Sequence, residues 1–371
     1  MERRSFLKKA GVGLAAGAAA GVASTTAVAA TAAPAVHTGL PEIKWRMTSS
    51  FPRGVDTLFG SADLLAKRIS EITGGKFEIR VYPAGELLPA LQALDAVQQG
   101  TVEMSHTCSY YYTGKDKTFG FGTAIPFGLN VRQMDAWIIA GGGQELLDDF
   151  YSAYNIRSFL GGNTGVQMGG WYRKEINTVD DMNGLKIRIA GLGGELLARM
   201  GAVPQQLGAG DIYTALEKGT IDAAEFVAPY DDEKLGLHKV APNYYAPGFW
   251  EPGPAVHFFV NKQEWDKLPK EYQAAFQAAS REAHILMTAS YDHKNPQALA
   301  RLLSQGVKLQ RFSNEIMKKA YDISQEMYAE ESAKNPAWKK IYTEFVKYRQ
   351  SQNAWFGVAE ASYDRFMQSI R

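Results

Sequence analysis

The chain has 371 residues, of which 46% are hydrophobic and 21% charged, a composition suited to two packed domains and unlike that of a disordered chain. Forty basic residues against thirty-nine acidic give a formal charge of +1, so the basic footprint of a nucleic-acid binder is missing. A single cysteine, Cys108, excludes an internal disulfide framework.

The N-terminus carries Arg3-Arg4-Ser5-Phe6-Leu7-Lys8-Lys9, a weakly apolar Ala/Gly run from Ala10 to about Ala23, and small residues at Ala27-Val28-Ala29. This reads as a cleaved twin-arginine signal peptide over 1–33, with the mature protein released into a periplasm. A membrane anchor would need about 20 predominantly apolar residues, which the run lacks.

Strands are expected at 44–49, 77–82 and 101–106, with helices at 58–72, closed by Gly74-Gly75, and at 88–99. That is a βαβαβ unit with a parallel sheet. Cys108 lies in an apolar run beside Ser105, His106 and Thr107 and reads as packing rather than as a nucleophile. Tyr110, Tyr111 and Tyr112 follow; on a strand, at most two of the three share a face.

The same grammar returns with strands at 185–190, 203–207 and 221–226 and helices at 194–200 and 211–218. Residues 96–103, AVQQGTVE, align with 215–222, ALEKGTID, each with a glycine at the helix end. Two such halves facing each other would bring the strand ends bearing His106, Arg188 and Glu225 to one cleft. Arginine, always charged and planar, suits a carboxylate there.

Farther on come a strand at 255–261, a helix from 269 to about 293 broken near Asn295-Pro296, and a strand at 306–312 after which Ser313 caps another helix. The tail at 353–370 is helical and aromatic, with Trp355, Phe356, Tyr363 and Phe366. It either packs on its own domain or makes a dimer contact.

The runs Gly161-Gly162-Asn163-Thr164-Gly165-Val166-Gln167-Met168-Gly169-Gly170-Trp171, Asn183-Gly184-Leu185-Lys186-Ile187-Arg188, Pro204-Gln205-Gln206 and Gly219-Thr220-Ile221-Asp222-Ala223 resemble the DctP-type periplasmic solute-binding subunits of TRAP transporters. Ser109-Tyr110-Tyr111-Tyr112, Pro229-Tyr230-Asp231-Asp232-Glu233-Lys234 and Trp250-Glu251 resemble the branch that binds 2-oxo monocarboxylates such as pyruvate. The resemblance implies an α/β periplasmic binding protein fold: two α/β domains around a ligand cleft, linked by hinge strands and a long helix, with a C-terminal helical tail. Domain I would hold 40–158 and 252–290, domain II 159–251 and 291–350, and 351–371 would form the tail, which could pair two copies of the chain.

The resemblance also implies that Arg188 clamps the ligand carboxylate while Na⁺ or Ca²⁺ bridges ligand and protein through Gln167, Glu225, Phe226 and Glu251. Phe226 stands where the branch usually has tryptophan, which bears on pocket shape. Gln167, Glu225, Tyr110, Tyr111, Tyr112 and Asn163 complete the expected ligand-binding set, and the membrane permease subunits would be the partners. Elementary electrostatics agrees: Glu225 and Glu251 beside an anion leave negative charge that one arginine cannot offset, and oxygen ligands suit a hard cation.

The alternatives are a 2-hydroxy acid such as lactate as ligand, an acid sensor, or a periplasmic cofactor-bearing oxidoreductase. Six dispersed histidines, no Cys-x-x-Cys-His and no Gly-x-Gly-x-x-Gly after the first strand weigh against the enzyme.

Overall fold

The computed structural model describes residues 39–370. The signal peptide expected at 1–33 and the terminal Arg371 lie outside the described residues. The chain opens with β1 (Ile43–Ser49), α1 (Asp56–Ile72), β2 (Phe77–Tyr82), α2 (Ala93–Gln98) and β3 (Met104–Thr107). β1 lies parallel to both β2 and β3. In α1 the buried Leu58, Ala62, Leu65 and Ile69 recur at helical spacing, which turns one apolar stripe onto the sheet and the other face to water. Then follow α3 (Gly120–Thr123), α4 (Val131–Ala140), α5 (Gly143–Ser152) and β4 (Ile156–Asn163).

The second half repeats this order. It contains β5 (Gly170–Tyr172), β6 (Lys186–Arg188), α6 (Gly191–Arg199), β7 (Val203–Gln205), α7 (Ala209–Glu217) and β8 (Ala223–Ala224). β6 is parallel to both β7 and β8, as β1 is to β2 and β3. After these come α8 (Pro229–Leu235), β9 (Asn243–Ala246), β10 (Ala255–Asn261), α9 (Lys262–Lys267), α10 (Lys270–Ser304), β11 (Lys308–Arg311), α11 (Asn314–Lys334), α12 (Pro336–Val358) and α13 (Glu360–Ser369).

Two sheets result, one ordered β2-β1-β3-β10-β4 and the other β11-β9-β5-β8-β6-β7. Each is completed by strands antiparallel to its βαβαβ core, β10 against β3 and β5 against β8. Each sheet with its helices forms one lobe, and this is the two-domain α/β architecture expected. The chain passes from the first sheet to the second between Asn163 and Gly170 and back between Ala246 and Ala255. β4 thus belongs to the first sheet through Asn163, beyond the 158/159 division expected from sequence.

α10 spans both lobes. Ser280 and Phe276 meet Leu160 and Phe159 of β4, while Tyr291 meets Asp231 of α8. The break expected at Pro296 does not occur, because α10 runs on to Ser304. Pro296 faces solvent, where water can satisfy the carbonyl it leaves unpaired, and the buried Tyr291, Ala298 and Leu302 hold the stripe on either side of it. The strands of the second half are shorter than expected, and the first part of the 88–99 helix is a 3₁₀ turn. Ser313 caps α11 by accepting from the Ile316 amide.

α12 returns to the first lobe, where fully buried Trp338 stacks among Phe121, Tyr328 and Tyr342, with ring centroids 4.5, 5.6 and 5.8 Å away. Trp338→Ala should therefore lower stability by about 3–5 kcal/mol, the range for deleting a buried aromatic. Urea denaturation followed by circular dichroism measures this, and a loss under about 1 kcal/mol would show that α12 is not part of the core.

Candidate functional site

Three segments between the lobes are fastened by their backbones. The Gln167 amide donates to the Glu251 carbonyl (3.2 Å), Gly248 N–H donates to the Gln167 carbonyl (2.9 Å), and Met168 N–H donates to the Val227 carbonyl (3.0 Å). Gly248 is required at this crossing, because a Cβ there would lie 2.7 Å from the carbonyl oxygens of both Gln167 and Met168. These bonds gather Gln167, the 225–227 stretch and Glu251 from three parts of the sequence.

Arg188 ends β6 and is 1% exposed, and Glu225, just past β8, is fully buried. Arg188 Nη1 donates to Glu225 Oε1 at 2.5 Å and to the Glu225 carbonyl at 2.7 Å, and Nε donates to the Leu207 carbonyl at 3.1 Å. Its Nη2 arm is committed to none of these. The guanidinium carbon lies 5.7 Å from the Phe226 ring centroid. Glu225 Oε1 also accepts from the Ala190 amide at 3.2 Å.

Glu251, buried, accepts from Tyr110 Oη at 3.2 Å, and Gln167 Nε2 donates to Thr164 Oγ1 at 3.2 Å. Three oxygens are then left buried without a hydrogen-bond partner: Gln167 Oε1, Glu225 Oε2 and Glu251 Oε1. Unpaired buried oxygens of this kind are costly unless something positive meets them. Two carboxylates and one amide oxygen form the donor set of a hard cation such as sodium or calcium, and the fit does not extend to zinc. Among the described residues no group of three or more His, Cys, Asp and Glu is placed to hold a metal; this set reaches three only through the amide.

The electrostatics point the same way. Burial pushes the Glu225 carboxyl up to about 7 although Arg188 opposes it. Burial, and then the Glu225 charge, hold Glu251 well above the usual carboxylate range. Without a cation the site therefore favours retaining a proton on its carboxylates.

The adjoining pocket is lined by Phe51, Leu58, Cys108, Tyr110, Tyr111, Thr164, Gln167, Phe226, Val227 and Pro254. Tyr110, Tyr111, Gln167 and Phe226 were expected there. Phe51, Leu58, Cys108, Thr164, Val227 and Pro254 were not. Phe51 follows the carboxyl end of β1, so the strand-end rule could have found it. Leu58 is indistinguishable in sequence from a core position of α1. Cys108 lines the pocket with its thiol pushed up by burial and by Glu251, so it stays protonated and unreactive.

Arg188, Glu225 and Glu251 are not among the lining residues, and two further expected ligand-binding residues are taken up by the framework. The tyrosine run forms a 3₁₀ turn rather than a strand, and this turns Tyr112 inward, where its hydroxyl meets Thr107 Oγ1 and the Leu94 amide, both at 3.0 Å. Asn163 spends its amide on structure: Nδ2 donates to the Gly253 carbonyl (3.0 Å) and Oδ1 accepts from the Gly165 amide (2.9 Å). His106, expected at the cleft, is buried in the first lobe between Ser49 and Ser61 hydroxyls, and burial holds it down to about 3, so it is neutral.

Arg188→Met should cost about 3–5 kcal/mol of stability, because Glu225 would be left buried and unpaired. The loss should grow with pH in chelator-treated protein. In the wild type Glu225 already keeps its proton up to about 7, so the two proteins diverge above that: without Arg188 the folded variant holds the proton higher still, and each added pH unit there costs it up to about 1.4 kcal/mol more than the wild type. Thermal melts at pH 5 and pH 8 test this; equal losses at both would exclude the titration of Glu225 as the cause.

The family model described as bacterial extracellular solute-binding protein, family 7 (DctP), matches residues 50–335. The chain is 47% identical, over the whole of both chains, to a monocarboxylate 2-oxoacid-binding periplasmic protein of Nostoc sp.. Its structure resembles that of a TRAP transporter solute binding protein from Bordetella bronchiseptica, a mixed occupancy dimer with copurified calcium and picolinate (TM-score 0.88, 50% identity, 89% of this chain and 98% of that one). It also resembles a TRAP periplasmic solute binding protein from Pseudoalteromonas atlantica with bound sodium and pyruvate (TM-score 0.85, 38% identity, 87% of this chain and 99% of that one).

Proposed function

We propose, from the premise that this chain belongs to the DctP family of extracellular solute-binding proteins, that it captures a pyruvate-like 2-oxo monocarboxylate together with sodium or calcium and delivers it to TRAP membrane permease subunits. The observation that carries this reading is the trio of unpaired buried oxygens on Gln167, Glu225 and Glu251 beside Arg188. The relatives that bind pyruvate with sodium, or picolinate with calcium, support it. The family consists of solute-binding proteins of transporters, so the oxidoreductase alternative falls.

In this reading Arg188 takes the ligand carboxylate. The cation would be held by Gln167, Glu225 and Glu251, with the Phe226 carbonyl, and would supply charge neutralisation and a preference for an acid bearing an oxygen at C2. Arg188, Glu225, Glu251 and a monoanionic ligand together carry two negative charges in excess, so calcium would bring the site to neutrality and sodium would leave one. Tyr110 positions Glu251 through its hydroxyl, and Tyr111, Phe226 and Cys108 wall the pocket. The first lobe supplies the tyrosines and the second the arginine, with hinges at the two strand crossings and α10.

Calorimetry of chelator-treated protein, with and without added calcium or sodium, tests the function. Pyruvate should bind only when the cation is present, and Glu251→Gln should weaken that binding at least about tenfold, the equivalent of ~1.4 kcal/mol. Equal pyruvate affinity with and without cation would remove the ion from the proposal. Lactate binding more tightly than pyruvate would favour the 2-hydroxy acid alternative.

Export by the twin-arginine route through residues 1–33 fits a family whose members are periplasmic. The tail is proposed as a dimer contact with a second copy of the chain. Trp355, Val358, Tyr363, Phe366 and Ile370 on α12, α13 and the terminus are each more than half exposed, and the Bordetella bronchiseptica relative is a dimer. Light scattering should give a dimer mass for the mature chain and a monomer for the Trp355→Ser/Phe366→Glu variant; a monomeric wild type refutes the contact.

A further inference from the structure

The ligand pocket leaves the run Pro229-Tyr230-Asp231-Asp232-Glu233-Lys234 of α8 without a role, yet every charged group in it is engaged. Asp232 fixes α8 to the second lobe, accepting from Trp171 Nε1 (3.0 Å) and Tyr244 Oη (2.7 Å). Asp231 accepts from Tyr291 Oη of α10 at 2.5 Å, and Glu233 pairs with Arg301 of α10 at 2.6 Å. Tyr230 and Lys234, one helical turn apart, reach instead across the cleft to the first lobe.

Both end on Asp56, the first residue of α1. Lys234 Nζ lies 2.6 Å from Asp56 Oδ1, and Tyr230 Oη donates to Asp56 Oδ2 at 3.1 Å. Lys294 of α10 donates to Thr57 Oγ1 at 2.8 Å, and the Lys234 and Lys294 ammonium groups lie 4.7 and 4.6 Å from the Tyr230 ring centroid. The latch adjoins the pocket on both sides: Leu58, two residues after Asp56, and Val227, three before Tyr230, are pocket walls.

We infer that Asp56, Tyr230 and Lys234 form an interlobe latch that sets how fast captured ligand is released, acting as positioning residues that do not touch it. This rests on the binding-protein reading. Bonds that span the cleft are made only in the closed form, with or without ligand, so they slow reopening of the loaded protein while ligand still enters through the open form. The Asp56 and Lys234 side chains are 49% and 34% exposed. A pair so wetted is weak and is screened by salt, which suits a latch that must open for delivery; a fully buried pair would hold the lobes shut.

Stopped-flow tryptophan fluorescence of calcium-loaded protein, with pyruvate as probe, tests the latch. Asp56→Asn should speed release roughly three- to tenfold with the association rate within about twofold. Choline chloride should speed release from the wild type and have little effect on the variant, and the charge-swapped Asp56→Lys/Lys234→Asp protein should regain slow release. A merely structural role would lower the melting temperature without this split or this salt response. Wild-type release rates and salt response in Asp56→Asn would overturn the inference. Small-angle scattering of ligand-free protein is a second arm, in which Asp56→Asn should be more expanded than the wild type. If the wild type bound no pyruvate, the proposed ligand would fail and scattering alone would decide, with identical profiles overturning the latch.

Discussion

The structure depends on a buried charge imbalance. Arg188 and Glu225 form a pair almost wholly out of water, and Glu251 adds a second buried carboxylate that the arginine cannot also neutralise. Moving such groups from water costs several kcal/mol each, and a pair recovers that only when its remaining lone pairs are met. Here Glu225 Oε2 and Glu251 Oε1 are not met by any protein donor. In the proposed reading, positive charge from outside the chain completes the centre of the molecule and lets an anion join it.

The fold serves this imbalance by arranging backbone rather than by placing one long motif. Two βαβαβ units with the same strand order present the ends of their strands to each other, and the chain crosses between them at 163–170 and 246–255 and again through α10. The crossings carry the groups that matter: Gln167 sits on the first and Glu251 on the second, fastened through Gly248. Glu225 comes from the end of β8 and Arg188 from the parallel β6 beside it. Polar groups held by strands and crossings of this kind need little rearrangement when a ligand enters, so binding costs less ordering. The lobes themselves are joined more loosely at the rim, where Asp56 meets α8 through half-exposed side chains.

Much of this was legible beforehand. The βαβαβ grammar, the paired glycines at 100 and 219, and the arginine at the end of an apolar strand are local signals with local causes, and the structure has all three, with φ of 72° and 70° at the glycines. The misreadings share one origin, since each required knowing what a side chain would meet. Tyr112 and Asn163 are chemically suited to a pocket, but a 3₁₀ turn and an Asn-turn hydrogen bond direct them into the framework. Pro296 is a helix breaker in the abstract, yet on the wet side of a well-packed helix its missing donor costs little. Phe51, Leu58 and Cys108 look like ordinary core residues, and nothing in their local sequence distinguishes a core wall from a pocket wall.

By itself the sequence determined the class of fold, the repeated half, the type of ligand group that Arg188 suits, and the need for a counter-charge once Glu225 and Glu251 are read with it. These follow from periodicity, turn chemistry and net charge, which act over a few residues or not through geometry at all. Only the tertiary structure decided which oxygens lack partners, which tyrosines face the pocket, and that Asp56 meets Lys234 across the cleft. Those contacts join residues tens to hundreds of positions apart, and their distances are set by the packing of two lobes rather than by any segment of the chain.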